Sequence, residues 1–108
     1  MRRVILESPY AGNIESNTIY ARKCVQDSIH RNEAPIASHL LYTQPGILND
    51  NIQSERQLGI DAGLAWLVVA EATVVYIDHG ISRGMQYGIK LAVNAGIPVE
   101  YRSLKDLG

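Results

Sequence analysis

A chain of 108 residues has room for one domain, since domains commonly hold about 100–150 residues around a single core. Apolar residues make up 46% of it and charged residues 19%, which excludes the polar, highly charged profile of a disordered chain. Ten Lys and Arg against eleven Asp and Glu give a net charge of -1, so no overall positive field exists to collect a nucleic-acid polymer or an anionic membrane.

The opening MRRVILESPY has too few apolar residues before Glu7 for a signal-peptide core, and no apolar run approaches the roughly 20 residues that span a bilayer. A cytoplasmic protein is expected. The run Arg3-Val4-Ile5-Leu6-Glu7 reads as a buried first strand, ended by the turn formers Ser8-Pro9-Tyr10-Ala11-Gly12-Asn13. From Glu15 to about His30, Ile19, Tyr20, Cys24, Val25 and Ile29 recur at helical spacing. Pro35-Ile36-Ala37-Ser38 reads as a second short strand. The polar stretch from His39 to Asn51 is long for a connection in a small domain and is a candidate lid. A second helix is expected from about Asn51 to Val69, carrying the small residues Gly59, Ala62, Gly63 and Ala65. Thr73-Val74-Val75-Tyr76-Ile77 has the β-branched continuity of a central parallel strand, with Asp78 at its carboxyl end. A helix over Arg83 to Asn94 follows, with Ile89, Leu91, Ala92 and Val93 as apolar members, Gly96 as its C-terminal cap and Pro98 as the restart. Val99-Glu100-Tyr101 is the last strand.

Strands alternating with helices predict an α/β fold: one small, doubly wound, Rossmann-like parallel sheet of about four strands with helices on both faces. In such sheets ligands lie at the carboxyl ends of the strands, near the switch in strand order. Three polar clusters fall on that edge: Ser8 to Asn13, Ser38 to Gln44 and Asp78 to Met85. The segment Asp78-His79-Gly80-Ile81-Ser82-Arg83-Gly84 leads into a helix whose free N–H groups can receive an anion, so Ser82 either binds phosphate or caps the helix. Asp78 either holds sugar hydroxyls or caps the turn through Gly80. Tyr10 either stacks on a base or borders the core. Arg56 and Arg83 reach a phosphate or lie on a solvated face, and His39 either donates to a ligand or serves the loop. The candidate ligand-binding set is therefore Ser8, Pro9, Tyr10, Gly12, Asn13, Ser38, His39, Arg56, Asp78, Gly80, Ser82, Arg83 and Met85. No metal or cofactor is expected: Cys24 is the single cysteine, and His30, His39 and His79 have neither i, i+4 spacing nor an HExxH pattern.

Ser8-Pro9-Tyr10-Ala11-Gly12 after the first strand, the Asp78-x-Gly80-Ile81-Ser82 turn and the Ala92-x-x-x-Gly96-x-Pro98-Val99 ending resemble the nucleoside 2-deoxyribosyltransferase-like superfamily. The match in detail is to a family of short phage and bacterial proteins, through Ser38-His39-Leu40-Leu41-Tyr42-Thr43, Glu55-Arg56-x-x-Gly59-Ile60 and Gly80-Ile81-Ser82-x-Gly84-Met85. The resemblance implies the doubly wound sheet, frequent oligomers and an aspartate like Asp78 touching a sugar. The transferases also carry a nucleophilic glutamate on the helix after the Asp-x-Gly turn. Arg83, Gly84, Met85, Gln86 and Tyr87 stand there in this chain, and none is a carboxylate. Glu7, Glu55 and Glu71 are the glutamates that could substitute, although Glu7 would have to point from the first strand and Glu71 lies at the opposite end of the third. Two functions follow from the resemblance: non-catalytic binding or sequestration of a nucleotide-derived molecule such as a cyclic ADP-ribose-like immune signal, as in phage sponge proteins, or N-glycosidase or deoxyribosyltransferase activity. The expected partners are a nucleotide- or nucleoside-like small molecule and further copies of the chain, most simply in a dimer, with no nucleic-acid polymer and no membrane.

Overall fold

Strand β1 (Arg2–Glu7) lies inside a four-stranded, all-parallel sheet of order β2-β1-β3-β4, in a computed structural model that describes residues 1–104. It pairs with β2 (Glu33–Ile36) on one side, Arg2 opposite Glu33, and with β3 (Ala72–Tyr76) on the other, Val4 opposite Ala72. Strand β4 (Val99–Arg102) closes the β3 edge, with Thr73 opposite Val99. Every residue of β3 is buried, as a strand covered on both faces requires. Pro35, which cannot donate to a ladder, falls on the edge strand β2, where that costs least.

Helix α1 (Ile14–His30) covers one face alone. Tyr20 and Cys24 pack there on Val4, Leu6, Ala72, Val74 and Tyr76, the alternate residues that the pleat turns to that side. Charge completes this face. The Glu33 carboxylate accepts from both guanidinium nitrogens of Arg102 at 2.7 and 2.6 Å, from Arg2 at 2.6 Å and from Ser28 Oγ at 2.8 Å. Burial alone would raise the pKa of Glu33, but the two arginines and the hydroxyl outweigh it and hold the group at about 2. Tyr76 donates to Asp27 at 2.6 Å and accepts from Arg102, tying α1 to the same cluster.

The opposite face carries α2 (Ser38–Leu41), α3 (Gln53–Leu64), a 3₁₀ turn (Ala65–Val69) and α4 (Arg83–Asn94). Ile5, Leu67 and Ala92 form its core. The doubly wound arrangement expected from the sequence is therefore present, with α1 on one side and α3 and α4 on the other. Several local readings change. The second strand is Glu33–Ile36 rather than Pro35 to Ser38, because Ser38 begins a one-turn helix, with Tyr42 N donating to Ser38 O at 2.9 Å. The second long helix starts at Gln53 and gives way to the 3₁₀ turn at Ala65. The buried stripe of α4 is Met85, Gly88 and Ala92, while Val93 is exposed. Gly63 allows α2 and α3 to meet: a Cβ there would come within 2.5 Å of Ser38 Oγ and 2.6 Å of its Cβ. As expected, Gly96 follows α4 with φ +74°, a conformation that favours glycine.

Two stability effects are expected. Arg102→Met leaves a Glu33 side chain only 4% exposed without its bidentate partner and should cost about 3–5 kcal/mol in urea unfolding. The contribution of Glu33 itself, whose folded pKa lies below the ordinary value of 4.5, is present above that pH and is lost as pH falls through about 2, measurable as acid unfolding.

Candidate functional site

The pleat that sends Val4 and Leu6 toward α1 sends Ile5 and Glu7 toward α3 and α4. Glu7 ends the strand there, under the middle of α4. The position opposite it on that helix is Gly88, where a Cβ would overlap the Glu7 carboxyl oxygen. Helix and strand thus stay close because the helix has no side chain at the point where the strand has a carboxyl group. Beside this contact opens a cleft of about 320 Å³, within the range of about 300–1,000 Å³ typical of small-molecule pockets. It lies at the carboxyl end of β1, where the connection from β1 runs to β2 and that from β3 runs to β4, the switch point of the sheet.

The floor of the cleft is polar but uncharged at neutral pH. Among the described residues no donor reaches the Glu7 carboxyl, and desolvation pushes its pKa up to about 8. His39, brought in by α2, is likewise pushed down to about 4 by burial. Its Nε2 lies 2.6 Å from Ser8 Oγ, and its ring meets Tyr10 edge-on at 6.5 Å between centroids. No carboxylate among the described residues orients the other ring nitrogen, so Ser8 and His39 do not form a nucleophilic triad. The walls come from Tyr42, Thr43, Leu48, Glu55, Arg56, Ile60 and Leu64 on one side and Ser82 to Met85 on the other. Arg56 and Arg83 supply the positive charge of the rim.

Of the residues expected from sequence, the structure brings Ser8, Tyr10, Ser38, His39, Arg56, Ser82, Arg83 and Met85 to this cleft. Ser82 is the N-cap of α4: its hydroxyl accepts from Met85 N at 3.3 Å, and the Met85 sulfur accepts from Ser82 N at 3.3 Å. Pro9 is buried beside the cleft without lining it. Gly12 and Gly80 take φ of +97° and +82° and shape turns. Asn13 caps α1 by accepting from Ser16 N at 3.1 Å. Asp78 lies apart from the cleft as well. Its carboxylate accepts from Tyr20 at 2.6 Å, from Ser103 and from Leu104 N at 3.0 Å. Burial opposes its ionisation, but these donors prevail and hold its pKa well below the usual carboxylate range. Asn13, Asp78 and His79 instead border a shallower groove beside α1, where His79 stacks on Tyr20 at 3.9 Å.

Sequence reasoning left Glu7 among the possible substitutes and missed its partner Gly88. Period-two alternation carried the signal, since it puts Glu7 on the same face as Ile5, and the helical spacing Met85-Gly88-Ala92 carried the other half. The other glutamates are engaged elsewhere: Glu71 accepts from Arg3 N at 2.7 Å, and Glu55, although it lines the cleft, accepts from Asn49 N at 3.2 Å. The stretch from Thr43 to Ile52 forms part of the cleft wall, braced by Leu48 N donating to Tyr42 O at 3.2 Å and Ile52 N to Asn49 O at 3.1 Å.

Because the folded pKa of Glu7 lies above the ordinary value of 4.5, the folded chain binds the extra proton between that value and about 8, and stability falls as pH rises through this window. Glu7→Gln should remove this pH dependence and raise the melting temperature at pH 8–9 relative to the parent chain. Asp78→Ala, which removes the carboxylate that accepts from Tyr20 and from Leu104 N, should lower stability by about 1–3 kcal/mol in thermal or urea unfolding.

Comparison with curated proteins finds no match to this chain. Residues 2–102 match a domain family described as a domain of unknown function, DUF7768, and span every strand and helix described above. The chain belongs to the DUF7768 family.

Proposed function

We propose that the cleft binds a nucleoside- or nucleotide-like small molecule without transforming it, and that the protein sequesters such a ligand. The observation that supports this reading best is the composition of the cleft: a polar floor of Glu7, Ser8 and His39, walls in which Leu48, Ile60 and Leu64 stand beside Tyr42 and Thr43, and two arginines, Arg56 and Arg83, among the lining together with the carboxylates of Asp50 and Glu55. A planar base suits the floor and walls, through Tyr10, Met85 and Leu48, while Arg83 and Arg56 suit phosphate oxygens. The volume matches one small molecule and not a polymer. A cyclic ADP-ribose-like signal of the kind bound by phage sponge proteins is one such ligand.

The second reading is an N-glycosidase or nucleoside deoxyribosyltransferase, and one observation favours it: a glutamate carboxyl stands free in the cleft. Desolvation pushes the pKa of Glu7 up to about 8, a shift toward the protonated form, which is suited to donating a proton to a leaving base and unsuited to nucleophilic attack. In keeping with the sequestering role, the chain assembles as an oligomer, most simply a dimer, through the exposed Leu41, Leu58, Trp66 and Val68 of the α2–α3 side.

Equilibrium dialysis of the full chain against adenosine, AMP and ADP-ribose tests this reading. The phosphorylated ligands are expected to bind more tightly than the nucleoside, with affinity falling as salt rises and by about 1.5–3 kcal/mol in Arg83→Ala. Chromatography after long incubation should return each ligand intact. Release of free base beyond one equivalent would establish the enzymatic reading instead, and failure of all three to bind would overturn the nucleotide reading. Light scattering that gives a mass near 11.9 kDa would overturn the oligomer.

A further inference from the structure

Charges of both signs line the cleft without pairing. Arg2, Arg3, Arg31 and Arg102 elsewhere in the chain each hold a carboxylate, at 2.6 to 3.9 Å. The guanidinium groups of Arg56 and Arg83 make no hydrogen bond or ion pair among the described residues, although Asp50 and Glu55 line the same cleft. The Asp50 carboxylate is equally unengaged, and Glu55 accepts only from Asn49 N at 3.2 Å. These two carboxylates also border a second space. A shallower groove of about 560 Å³ runs along the connection between α2 and α3 and adjoins the cleft through a shared wall of Tyr10, Thr43, Leu48, Asp50 and Glu55. Past that wall its lining adds Asn49, Asn51, Ile14 and Ile47 and includes no Lys, Arg or His. From α4 into the groove the lining therefore passes from unpaired guanidinium to carboxylate, hydroxyl and amide.

We propose that the ligand is a two-part molecule, a nucleoside diphosphate whose terminal phosphate is esterified to a neutral sugar, with its phosphates on Arg56 and Arg83 and the sugar across the shared wall in the groove. This rests on the reading that the cleft takes a nucleotide-like ligand. Guanidinium groups left without a carboxylate are suited to phosphate oxygens, which they bind in a bidentate fork. A carboxylate such as Asp50 accepts from two adjacent sugar hydroxyls, and the amides of Asn49 and Asn51 both donate and accept, so the groove matches a polyol. It does not match a terminal phosphate. A phosphate monoester there would bring up to two negative charges beside Asp50 and Glu55 with no cation in the groove lining to offset them, whereas esterification removes one of those charges and adds hydroxyl donors. Size points the same way, since the cleft alone, at about 320 Å³, stands near the lower end of small-molecule pockets, and a ligand with a sugar on each side of its phosphates needs the adjoining space.

Isothermal titration calorimetry of the full chain with two pairs of ligands, ADP with ADP-ribose and UDP with UDP-glucose, tests this at fixed pH and salt. In whichever pair binds, the sugar-capped member is expected to bind at least about tenfold more tightly than the uncapped diphosphate, although it carries less negative charge. Asp50→Ala should weaken the capped member by about tenfold and hold or tighten the uncapped one, opposite effects that a loss of folding cannot produce. Asn51→Lys, at an exposed position of the groove, should narrow the gap by tightening the uncapped diphosphate. Equal or tighter binding of the uncapped diphosphates, or a preference for the capped ones that is indifferent to both variants, would overturn the inference while the nucleotide reading stands. If no member of either pair binds the parent chain, both fall. Thermal melting of each variant verifies folding, and the comparison within each pair on the parent chain decides the question without any variant.

Discussion

The carboxyl of Glu7 occupies a place on β1 where the pleat has just delivered Ile5 to the core and where α4 would otherwise close on the sheet. Two demands meet there: the helix must pack closely to bury Ala92 and Met85, and the strand carries a polar group that cannot be bonded within the described chain. Gly88 reconciles them. A glycine in the middle of a helix costs about 1 kcal/mol relative to alanine, and here it removes the atom that would collide with Glu7. The helix stays near the strand, and the space on the α3 side of the contact remains open as the cleft.

The two faces of the sheet handle charge in opposite ways. Beneath α1, Glu33 is answered by Arg102, Arg2 and Ser28, each within 2.8 Å, so its charge is kept and its pKa is low. Beneath α4, Glu7 has no such answer, and its pKa is high. Glu33 is buried and Glu7 half-buried, both at strand ends of one small sheet, and only Glu33 is given partners that favour its charge. A buried ion pair offers little net stabilisation compared with apolar packing, but it fixes geometry, because removing either member strands the other. The α1 face is thereby a firm platform for the sheet.

Much of the fold was legible in the residues. The β-branched run at Thr73 to Tyr76 marked the central strand, and alternation with helical spacing marked the doubly wound order, because burial on both faces imposes continuous apolar character that local pattern reports directly. The site was legible in outline: Ser8, His39, Arg56 and Arg83 come from separate segments that the carboxyl edge of a parallel sheet brings together. What pattern did not report was direction. Asp78 stands at a strand end as expected, but Tyr20, Ser103 and Leu104, all distant from it in the chain, turn its carboxylate toward α1. Ser38 was read as strand because it follows Ile36 and Ala37, whereas its hydroxyl packs against Gly63 at the start of a helical turn. In each case a contact between remote segments decided the matter, and single-sequence periodicity contains no term for it.

The setting of Glu7 bears on the chemistry that the proposed site could support. A nucleophilic carboxylate must be ionised at working pH, which calls for donors or cations around it; α4 instead sets Gly88 over the Glu7 carboxyl, and no donor among the described residues bonds it. Desolvation there pushes its pKa up to about 8. A carboxyl desolvated in this way is suited to exchanging hydrogen bonds and poorly suited to nucleophilic attack, so the proposed binding role and the glycine at position 88 rest on the same local contact.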